Sequence, residues 1–325
     1  MTGLSDSFQR PIDYLRISVT DRCNLRCIYC MPAEGVGLMS HNDILTYEEI
    51  QAIVQAAAEL GINKVRLTGG EPLARSGLSK LIQMLVQIDA IDDISLTTNG
   101  TLLGRYAAEL KSAGLRRVNV SLDTLKPEKF EFITRQDMFS DVLEGIDVAR
   151  SVGLNPVKIN TVVMSGINDD ELLDFAAKTI NEEWHVRFIE FMPFVDKSAP
   201  QFVPVSDIRN RLELLGELEP CLPSAGNGPA KYFRFPHSRG TIGFITPVSE
   251  HFCFQCNRLR LTADGKLRPC LLAEDEIDLK QPLRSGISLA GLKQLIEEAV
   301  ARKPLQHHLA EGYMPKDRPF TQVGG

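Results

Sequence analysis

Hydrophobic and polar residues alternate with two different periods along the first 190 or so positions. Six short segments show the two-residue alternation of β-strands: Tyr14–Val19, Lys64–Thr68, Ile94–Thr98, Val118–Leu122, Val157–Val163 and Val186–Met192. Longer segments between them show the apolar spacing of helices: Thr46–Leu60, Leu78–Ile88, Leu102–Ala113, Ser140–Val152 and Asp169–Ile180. Alternating strands and helices predict an α/β fold with a parallel sheet. Six strands favour an open, partial (β/α)6 TIM-like barrel over a closed barrel of eight.

The pattern changes after Pro193, where prolines and glycines become frequent. Two short β-like segments, Lys231–Phe235 and Thr241–Ile245, flank a turn at His237–Gly240. A helix is expected over Ser288–Ala301, before an irregular tail. The sequence therefore predicts a partial barrel over residues 8–222 and a separate C-terminal β-rich layer over residues 223–325.

The predicted strands have one apolar and one polar face. In the first strand, Leu15 and Ile17 alternate with Arg16 and Ser18, and the next four strands repeat this arrangement. The apolar face is expected to pack under the helices, which leaves the polar face for the concave side of the barrel. The charged residues of that face are Arg16, Lys64, Arg66 and Lys158, with Asp123 as the one acid.

Four converging cations would be unfavourable without a counter-charge. Two like charges about 4 Å apart repel by about 4 kcal/mol at a typical effective dielectric constant. The pattern therefore indicates a polyanionic ligand, most simply a nucleoside triphosphate. The alternative is that each cation is a solvated strand end.

Composition and charge limit the class of protein. The net charge of -6 argues against a general nucleic-acid or membrane-surface binder. No apolar run is long enough to cross a bilayer, and the first residues lack the features of a secretory signal. A cytoplasmic location is expected. Thiols stay reduced there, so the seven cysteines are interpreted as metal ligands or catalysts before disulfides.

Two sets of three cysteines are candidate metal ligands. Cys23, Cys27 and Cys30 follow the first strand with the spacing C-x3-C-x2-C. Three thiolates can hold three irons of a cubane cluster, which leaves the fourth iron open for a substrate. Further along, the C-x2-C-x13-C spacing again supplies three thiolates without a fourth ligand, from Cys253, Cys256 and Cys270. We interpret this second set as a second cluster with an open iron.

A zinc site is the alternative interpretation of these cysteines. Four thiolates from Cys27, Cys30, Cys253 and Cys256 could hold one zinc ion, but Cys23 and Cys270 would then have no role. The seventh cysteine, Cys221, stands alone in a proline-rich segment and has no predicted function.

Three further motifs accompany the cysteines. Thr68-Gly69-Gly70-Glu71-Pro72 lies at the carboxyl end of the second strand, the edge where parallel α/β sheets bind ligands. Arg258 and Arg260 share one face of a segment that follows Cys256. The chain ends with Gly324-Gly325, which could be a disordered end or could enter a crowded cavity.

In combination, these motifs resemble those of the radical S-adenosylmethionine (SAM) enzymes. The C-x3-C-x2-C loop with Tyr29 before its third cysteine, together with the GGEP turn, carries this resemblance. The second cysteine set, the Asn257-Arg258-Leu259-Arg260 run and the terminal glycines narrow it to the GTP 3′,8-cyclases of molybdenum cofactor biosynthesis. The resemblance covers about residues 8–325.

The resemblance implies a role for each matching residue. Cys23, Cys27 and Cys30 would bind a [4Fe-4S] cluster whose open iron chelates SAM. Cys253, Cys256 and Cys270 would bind a second [4Fe-4S] cluster whose open iron binds the purine. SAM-contacting positions are Tyr29, Gly70, Ser121 and Met192. GTP-contacting positions are Arg16, Arg66, Thr97, Lys158, Arg258 and Arg260. The residues expected to support catalysis are Arg258, Arg260, Gly324 and Gly325.

The resemblance also implies a reaction and its partners. Reductive cleavage of SAM would give a 5′-deoxyadenosyl radical that takes the hydrogen from C3′ of GTP. Attack of C3′ on C8 of guanine would give 3′,8-cyclo-7,8-dihydroguanosine 5′-triphosphate, the first step of molybdenum cofactor biosynthesis. The implied partners are a one-electron donor such as flavodoxin or ferredoxin, and the cyclic pyranopterin monophosphate synthase that takes the product. A homodimer is a candidate assembly, and no nucleic acid or membrane partner is expected.

Two rival functions remain open from the sequence. One is another radical SAM enzyme with an auxiliary cluster, such as a peptide-modifying maturase. The other is a zinc-stapled adaptor without enzymatic activity. The adaptor leaves the GGEP turn unexplained.

Overall fold

The computed structural model describes residues 3–192, 202–311, 313, 315, 318 and 320–323 of the chain. Six parallel strands form the centre of the sheet: β1 (Tyr14–Ser18), β2 (Lys64–Thr68), β3 (Asp93–Thr98), β4 (Arg117–Ser121), β5 (Val157–Val163) and β6 (His185–Glu190). The helices between them are α1 (Tyr47–Glu59), α2 (Leu78–Val86), α3 (Leu103–Ser112), α4 (Pro127–Thr134), α5 (Phe139–Ser151) and α6 (Leu172–Asn181). The predicted α/β fold with an open parallel sheet is confirmed.

The helices begin and end at residues that cap or terminate a helix. Thr46 caps α1 by accepting a hydrogen bond from the Glu49 amide, and the Glu49 side chain returns one from the Thr46 amide, which makes a capping box. After α3 the chain turns at Gly114 with a φ of +108°, a conformation that glycine adopts without a Cβ clash. Helix α4 was not predicted, although Pro127 at its first position is a common start signal.

The C-terminal half extends the same sheet at both edges. Strands β7 (Glu219–Pro220), β8 (Lys231–Arg234) and β9 (Thr241–Ile245) continue beyond β6, while β10 (Arg258–Leu261), β11 (Lys266–Arg268) and β12 (Ile277–Asp278) continue beyond β1. The remaining helices are α7 (Val205–Leu212), α8 (Lys280–Arg284) and α9 (Leu289–Ala301). This differs from the expectation of a separate layer. Strands β9 and β10 satisfy the open backbone groups of β6 and β1, which would otherwise be exposed sheet edges.

The apolar face of the strands packs under the helices, as predicted. Leu15, Ile17, Val65 and Leu67 are at most 1% exposed and belong to one continuous hydrophobic core with α1 and α2. The opposite face is left to line the concave side. In the part of the chain that the structure describes, no helix is long and apolar enough to cross a membrane. The predicted boundary after residue 222 stays a prediction.

Candidate active site

A large cavity lies on the concave side of the sheet, with an empty volume of about 1440 Å³ including the part open to solvent. Side chains of all six central strands and of the flanking strands β9 and β10 line it. Because residues from both halves of the chain meet there, the curled sheet and its C-terminal extensions together create the site.

Five arginines line this cavity, together with one acid among the described lining residues, Asp123. The arginines are Arg16, Arg66, Arg187, Arg258 and Arg260. Arg260, Arg16 and Arg66 are register partners on β10, β1 and β2, adjacent strands that lie about 4.8 Å apart. The predicted convergence of Arg16 and Arg66 on the concave face is therefore present, and Arg260 joins it from the C-terminal edge.

Burial and mutual repulsion disfavour the charged form of these guanidinium groups. Burial, followed by repulsion from Arg260 and Arg66, lowers the pKa of Arg16 well below its usual value. Burial, followed by repulsion from Arg258, lowers the pKa of Arg260 to about 9. Burial lowers the pKa of Arg187 to about 10. An anion bound among them would relieve both effects, since opposite charge favours the ionised form.

Several buried polar atoms of the lining have no hydrogen-bond partner within the described structure. They are the Tyr14 hydroxyl, the Asn160 amide oxygen and the Nε of Arg187. Unpaired buried polar groups are costly, by about 1–3 kcal/mol each, unless a ligand or water satisfies them. Their presence along the cavity, on β1, β5 and β6, fits a ligand with many polar atoms, such as a nucleotide.

Arg187 was missed by the sequence reasoning. It lies on β6, is 5% exposed, and donates a hydrogen bond to the Asn119 side chain. Opposite it stands Gly243, where a Cβ would lie 2.9 Å from the Arg187 Cγ, so the glycine leaves space for this arginine. The signal was present in the sequence, because Arg187 alternates with the apolar residues Val186 and Phe188.

The two predicted lysines lie elsewhere than expected. Lys64, at the first position of β2, forms an ion pair with Asp13 at 2.8 Å and does not line the cavity. Lys158 is 1% exposed, and its ammonium donates to the Ala225 carbonyl at 2.7 Å and the Tyr232 hydroxyl at 3.1 Å. It lies beneath the cavity, one inward-facing position before Asn160 on β5. Its contact with a substrate stays a prediction.

The first cysteine set follows β1 at the carboxyl edge of the sheet. The Cys23 sulfur accepts a hydrogen bond from the Leu25 amide at 3.4 Å, and the Cys30 amide donates to the Cys27 carbonyl at 2.9 Å. Burial raises the pKa of all three thiols, that of Cys30 to about 12. The thiolate forms therefore need a cationic partner, which iron would supply.

The GGEP turn holds this cysteine loop in place. A Cβ on Gly70 would lie 2.4 Å from the Arg22 carbonyl oxygen, so only glycine allows the two segments to approach. The fully buried Glu71 carboxylate accepts from Thr98 Oγ1 and the Asn99 amide, each at 2.7 Å, and burial raises its pKa to about 7. Asn99 in turn donates to Asn24, next to Cys23, at 2.9 Å. Gly70 thus lies beside the loop and does not line the large cavity.

Most of the predicted SAM-contacting residues come together between the first cysteine set and the cavity. Tyr29 and Ser121 line both the large cavity and a smaller adjoining one that reaches Cys27. Met192 lines the large cavity, as does Thr97, which was predicted to contact GTP. The Tyr29 hydroxyl donates to Asp123 at 2.7 Å, and burial raises the pKa of Asp123 to about 6. Asp123 was predicted only as a charge and proves to orient Tyr29.

The second cysteine set lines the same large cavity, with Cys253, Cys256 and Cys270 all exposed to it. Burial would raise the pKa of Cys256, but Arg258 and Lys303 outweigh this effect and lower it to about 6. Arg260 donates to the Val323 carbonyl at 3.3 Å, which brings the C-terminal segment to the cavity wall. Gly324 and Gly325 lie outside the described residues.

The donor set of each cysteine group fits an iron–sulfur cluster. All seven cysteines are free, and soft thiolates are the usual ligands of such clusters. Within the described residues, no three or more His, Cys, Asp or Glu side chains are placed to hold a single metal ion. The four cysteines of the zinc alternative are therefore not gathered around one point. A cubane differs in this respect, because each thiolate binds a different iron.

Comparison with known proteins agrees with this arrangement. The profile described as the Radical SAM superfamily matches residues 17–178, and the profile described as Molybdenum Cofactor Synthesis C matches residues 184–309. Among solved structures, Streptococcus suis SuiB superposes with a TM-score of 0.60 at 13% identity, covering 92% of this chain and 68% of SuiB. Native anSMEcpe with bound AdoMet gives a TM-score of 0.54 at 16% identity, covering 93% of this chain and 82% of that chain. These two show the fold.

Curated relatives extend the similarity over the whole chain. The protein from Pelotomaculum thermopropionicum named GTP 3′,8-cyclase is 52% identical, covering 99% of this chain and 100% of the relative. The protein of the same name from Moorella thermoacetica is 51% identical, again covering 99% of this chain and 100% of the relative. The chain therefore belongs to the GTP 3′,8-cyclase family of the radical SAM superfamily.

Proposed function

We propose that this chain converts GTP to 3′,8-cyclo-7,8-dihydroguanosine 5′-triphosphate, with two [4Fe-4S] clusters and SAM as cofactors. The observation that carries the proposal is one cavity lined by five buried or half-buried arginines and by the three cysteines of the second set, with a smaller adjoining cavity that reaches Cys27 of the first set. A nucleoside triphosphate carries about four negative charges, and charge-assisted hydrogen bonds are roughly twice as strong as neutral ones. The peptide-maturase alternative offers no reason for this charge.

The residues divide the cavity into a cofactor end and a substrate end. Cys23, Cys27 and Cys30 would hold the first cluster, with Tyr29, Gly70, Ser121 and Met192 around SAM. When bound, the cluster and SAM would supply the reductive radical chemistry that takes a hydrogen atom from C3′ of the ribose. Tyr29 is held by Asp123, so its ring has one fixed orientation at this end.

The substrate end would hold the triphosphate and the purine. Arg16, Arg66, Thr97 and Arg187 line the wall that we assign to the phosphates and ribose, with Lys158 beneath it. Arg258 and Arg260 lie next to Cys253, Cys256 and Cys270, which would hold the second cluster against the purine. Enclosure by the curled sheet keeps water from the reacting carbons and holds C3′ and C8 close together.

The C-terminal segment would complete the site. Val323 is buried, and its carbonyl accepts a hydrogen bond from Arg260, which lines the cavity. We assign Gly324 and Gly325, with Arg258 and Arg260, to the support of the cyclisation step. Residues without side chains suit a crowded space of this kind.

The partners follow from the same reaction. We infer that a one-electron donor such as flavodoxin or ferredoxin supplies the reductant, and that cyclic pyranopterin monophosphate synthase takes the product. A cytoplasmic location would keep the seven thiols reduced for cluster assembly. A homodimer and the division into residues 8–222 and 223–325 remain part of the proposal.

Product analysis under anaerobic conditions tests this function. The reconstituted protein is incubated with GTP, SAM and dithionite, and the nucleotide product is identified by mass spectrometry and by its loss of C3′ deuterium from labelled GTP. Iron and sulfide are expected near about eight each per chain, from two cubanes. ATP and an unrelated peptide serve as competing substrates. A zinc-containing, colourless protein, or one that cleaves SAM equally well without changing GTP, would overturn the proposal.

A further inference from the structure

The three cysteines of the second set stand on two segments, one that carries Cys253 and Cys256 and one that carries Cys270. Cys253 begins a short 3-10 turn, Cys256 ends it, and Cys270 follows the β10–β11 hairpin. Within the turn, the Cys256 amide donates to the Cys253 carbonyl at 3.1 Å. The last paired residues of the hairpin are Arg260 and Arg268, so Cys270 and the turn lie beyond its paired part, where contacts from elsewhere in the chain add to their placement.

Lys303, just after α9, supplies one such contact. Its side chain is buried, at 3% exposure, and its ammonium donates to the Arg258 carbonyl at 2.8 Å and to the Pro269 carbonyl at 2.6 Å. Arg258 lies two residues after Cys256, and Pro269 immediately precedes Cys270. One charged group therefore joins the segments that carry two of the three cysteines.

Arg10, from the N-terminal segment, supplies the other contact. Its guanidinium donates to the Cys253 carbonyl at 2.7 Å, to the Leu305 carbonyl at 2.8 Å and to the Pro304 carbonyl at 2.7 Å. Its Nε pairs with Asp6 at 2.5 Å, and both side chains are buried. Buried ion pairs are weak sources of stability, so a fully hydrogen-bonded pair at this place indicates a positional role.

The two cations act on one continuous segment. Lys303, Pro304 and Leu305 are consecutive, so Arg10 holds the backbone on which Lys303 stands. Each cysteine of the second set thus lies within two residues of a carbonyl held by Arg10 or Lys303. We call these two side chains the cationic clamp.

We propose that the cationic clamp of Arg10 and Lys303 positions the two segments that carry Cys253, Cys256 and Cys270 to receive and retain the second [4Fe-4S] cluster. The inference rests on the proposed function, since it takes Cys253, Cys256 and Cys270 as cluster ligands. Loss of the Lys303 ammonium would leave two carbonyls without this donor, one of them buried, and would remove the contact that joins the open end of the hairpin beside Cys256 and Cys270. Groups that orient metal ligands typically change metal affinity by about 10- to 100-fold when removed.

The test isolates each cluster. In full-length protein with Cys23, Cys27 and Cys30 all changed to Ser, only the second cluster can assemble. In this background, Lys303→Met is compared with Lys293→Met, which removes a half-exposed lysine of α9 that pairs with Glu59. Iron release to a chelator is followed after anaerobic reconstitution. Lys303→Met is expected to release iron about 10- to 100-fold faster, while Lys293→Met matches the parent.

A second background separates positioning from general loss of stability. With Cys253, Cys256 and Cys270 changed to Ser, only the first cluster remains, and Lys303→Met is expected to leave its iron release unchanged. Arg10→Lys keeps the charge but loses the planar fork, and it should accelerate release from the second cluster alone.

The outcomes distinguish failure of the cationic clamp from failure of the proposed function. Equal rates of iron release from the second cluster in Lys303→Met and Lys293→Met would refute the role of the cationic clamp and leave the proposed function intact. Faster release from both clusters overturns the clamp too, because the variant then acts through the whole fold. If the protein with Cys23, Cys27 and Cys30 changed to Ser assembles no cluster even with Lys303 present, the second cluster of the proposed function is absent. The proposed role of the cationic clamp is then also wrong.

Discussion

GTP binding at pH 8 is expected to bring close to one proton onto Lys158. Its ammonium lies beneath the cavity, faced by Arg66 on β2, Arg117 on β4 and Arg187 on β6, with Asp93 as the opposing acid. Burial, followed by repulsion from Arg187, Arg117 and Arg66, lowers the pKa of Lys158 to about 6. A triphosphate placed above these groups adds negative charge and must raise that pKa.

The size of the effect follows from the two protonation states. A lysine with a pKa of about 6 is about 1% protonated at pH 8, whereas one near its ordinary value of about 10.4 is almost fully protonated. Because the proton binds together with the ligand, affinity falls as the pH rises above about 6, by up to about tenfold per pH unit. The window from pH 7.5 to 8.5 avoids the terminal phosphate, whose second pKa is about 6. It also stays below the pKa of Arg260, about 9.

Calorimetry measures this proton directly. Anaerobic protein is titrated with GTP at pH 8 in HEPES and in Tris, and the slope of the observed enthalpy against the ionisation enthalpy of the buffer gives the protons taken up. Lys158→Met should reduce the uptake to near zero, while Lys178→Met, which removes a surface lysine paired with Glu182, should not change it. A wild-type uptake near zero, or an unchanged uptake in Lys158→Met, would refute the reasoning.

Three further predictions concern other parts of the molecule. Arg187→Ala should weaken GTP binding by about 1.5–3 kcal/mol, the range for hydrogen bonds to charged groups, and leave SAM cleavage possible. Arg66→Ala is also expected to weaken GTP binding. Equilibrium dialysis measures the GTP affinity of both variants, with Arg105→Ala, at an exposed site, as the control. An unchanged GTP affinity would contradict the binding role of the arginine concerned. Cys23→Ser should abolish SAM cleavage, so 5′-deoxyadenosine in its chromatogram would count against the first cluster. Gly240→Ala places a Cβ 1.8 Å from the Trp184 carbonyl oxygen and should destabilise the fold by about 3 kcal/mol or more, whereas Gly37→Ala meets no atom within 4 Å. Equal denaturant midpoints for these two variants would show that the β6–β9 junction tolerates the added atom.

Much of the central sheet could be predicted because its signals are local. Strands β2 and β5 have the predicted bounds, and the alternation of Leu15 and Ile17 with Arg16 correctly separated the buried face from the cavity face. The two cysteine sets were recognisable for the same reason, since cluster ligands on a loop have characteristic spacing. Helix α4 was not predicted because its eight residues make too few turns to show a clear helical period of apolar residues.

Long-range pairing decided the rest. The sequence determined which residues are strand, core, cation or thiolate, because each of these properties depends on side-chain type and near neighbours. Only the tertiary structure placed β10 beside β1, and with it Arg260 beside Arg16 and the second cysteine set on the large cavity, next to the smaller cavity that reaches Cys27. The tertiary structure also shows that Lys158 lies beneath the large cavity, that Arg187 lines it, and that Arg10 contacts the Cys253 carbonyl. Such contacts join residues far apart in the chain, 243 positions in the case of Arg10 and Cys253, and no local periodicity records which strand edges will satisfy each other's hydrogen bonds.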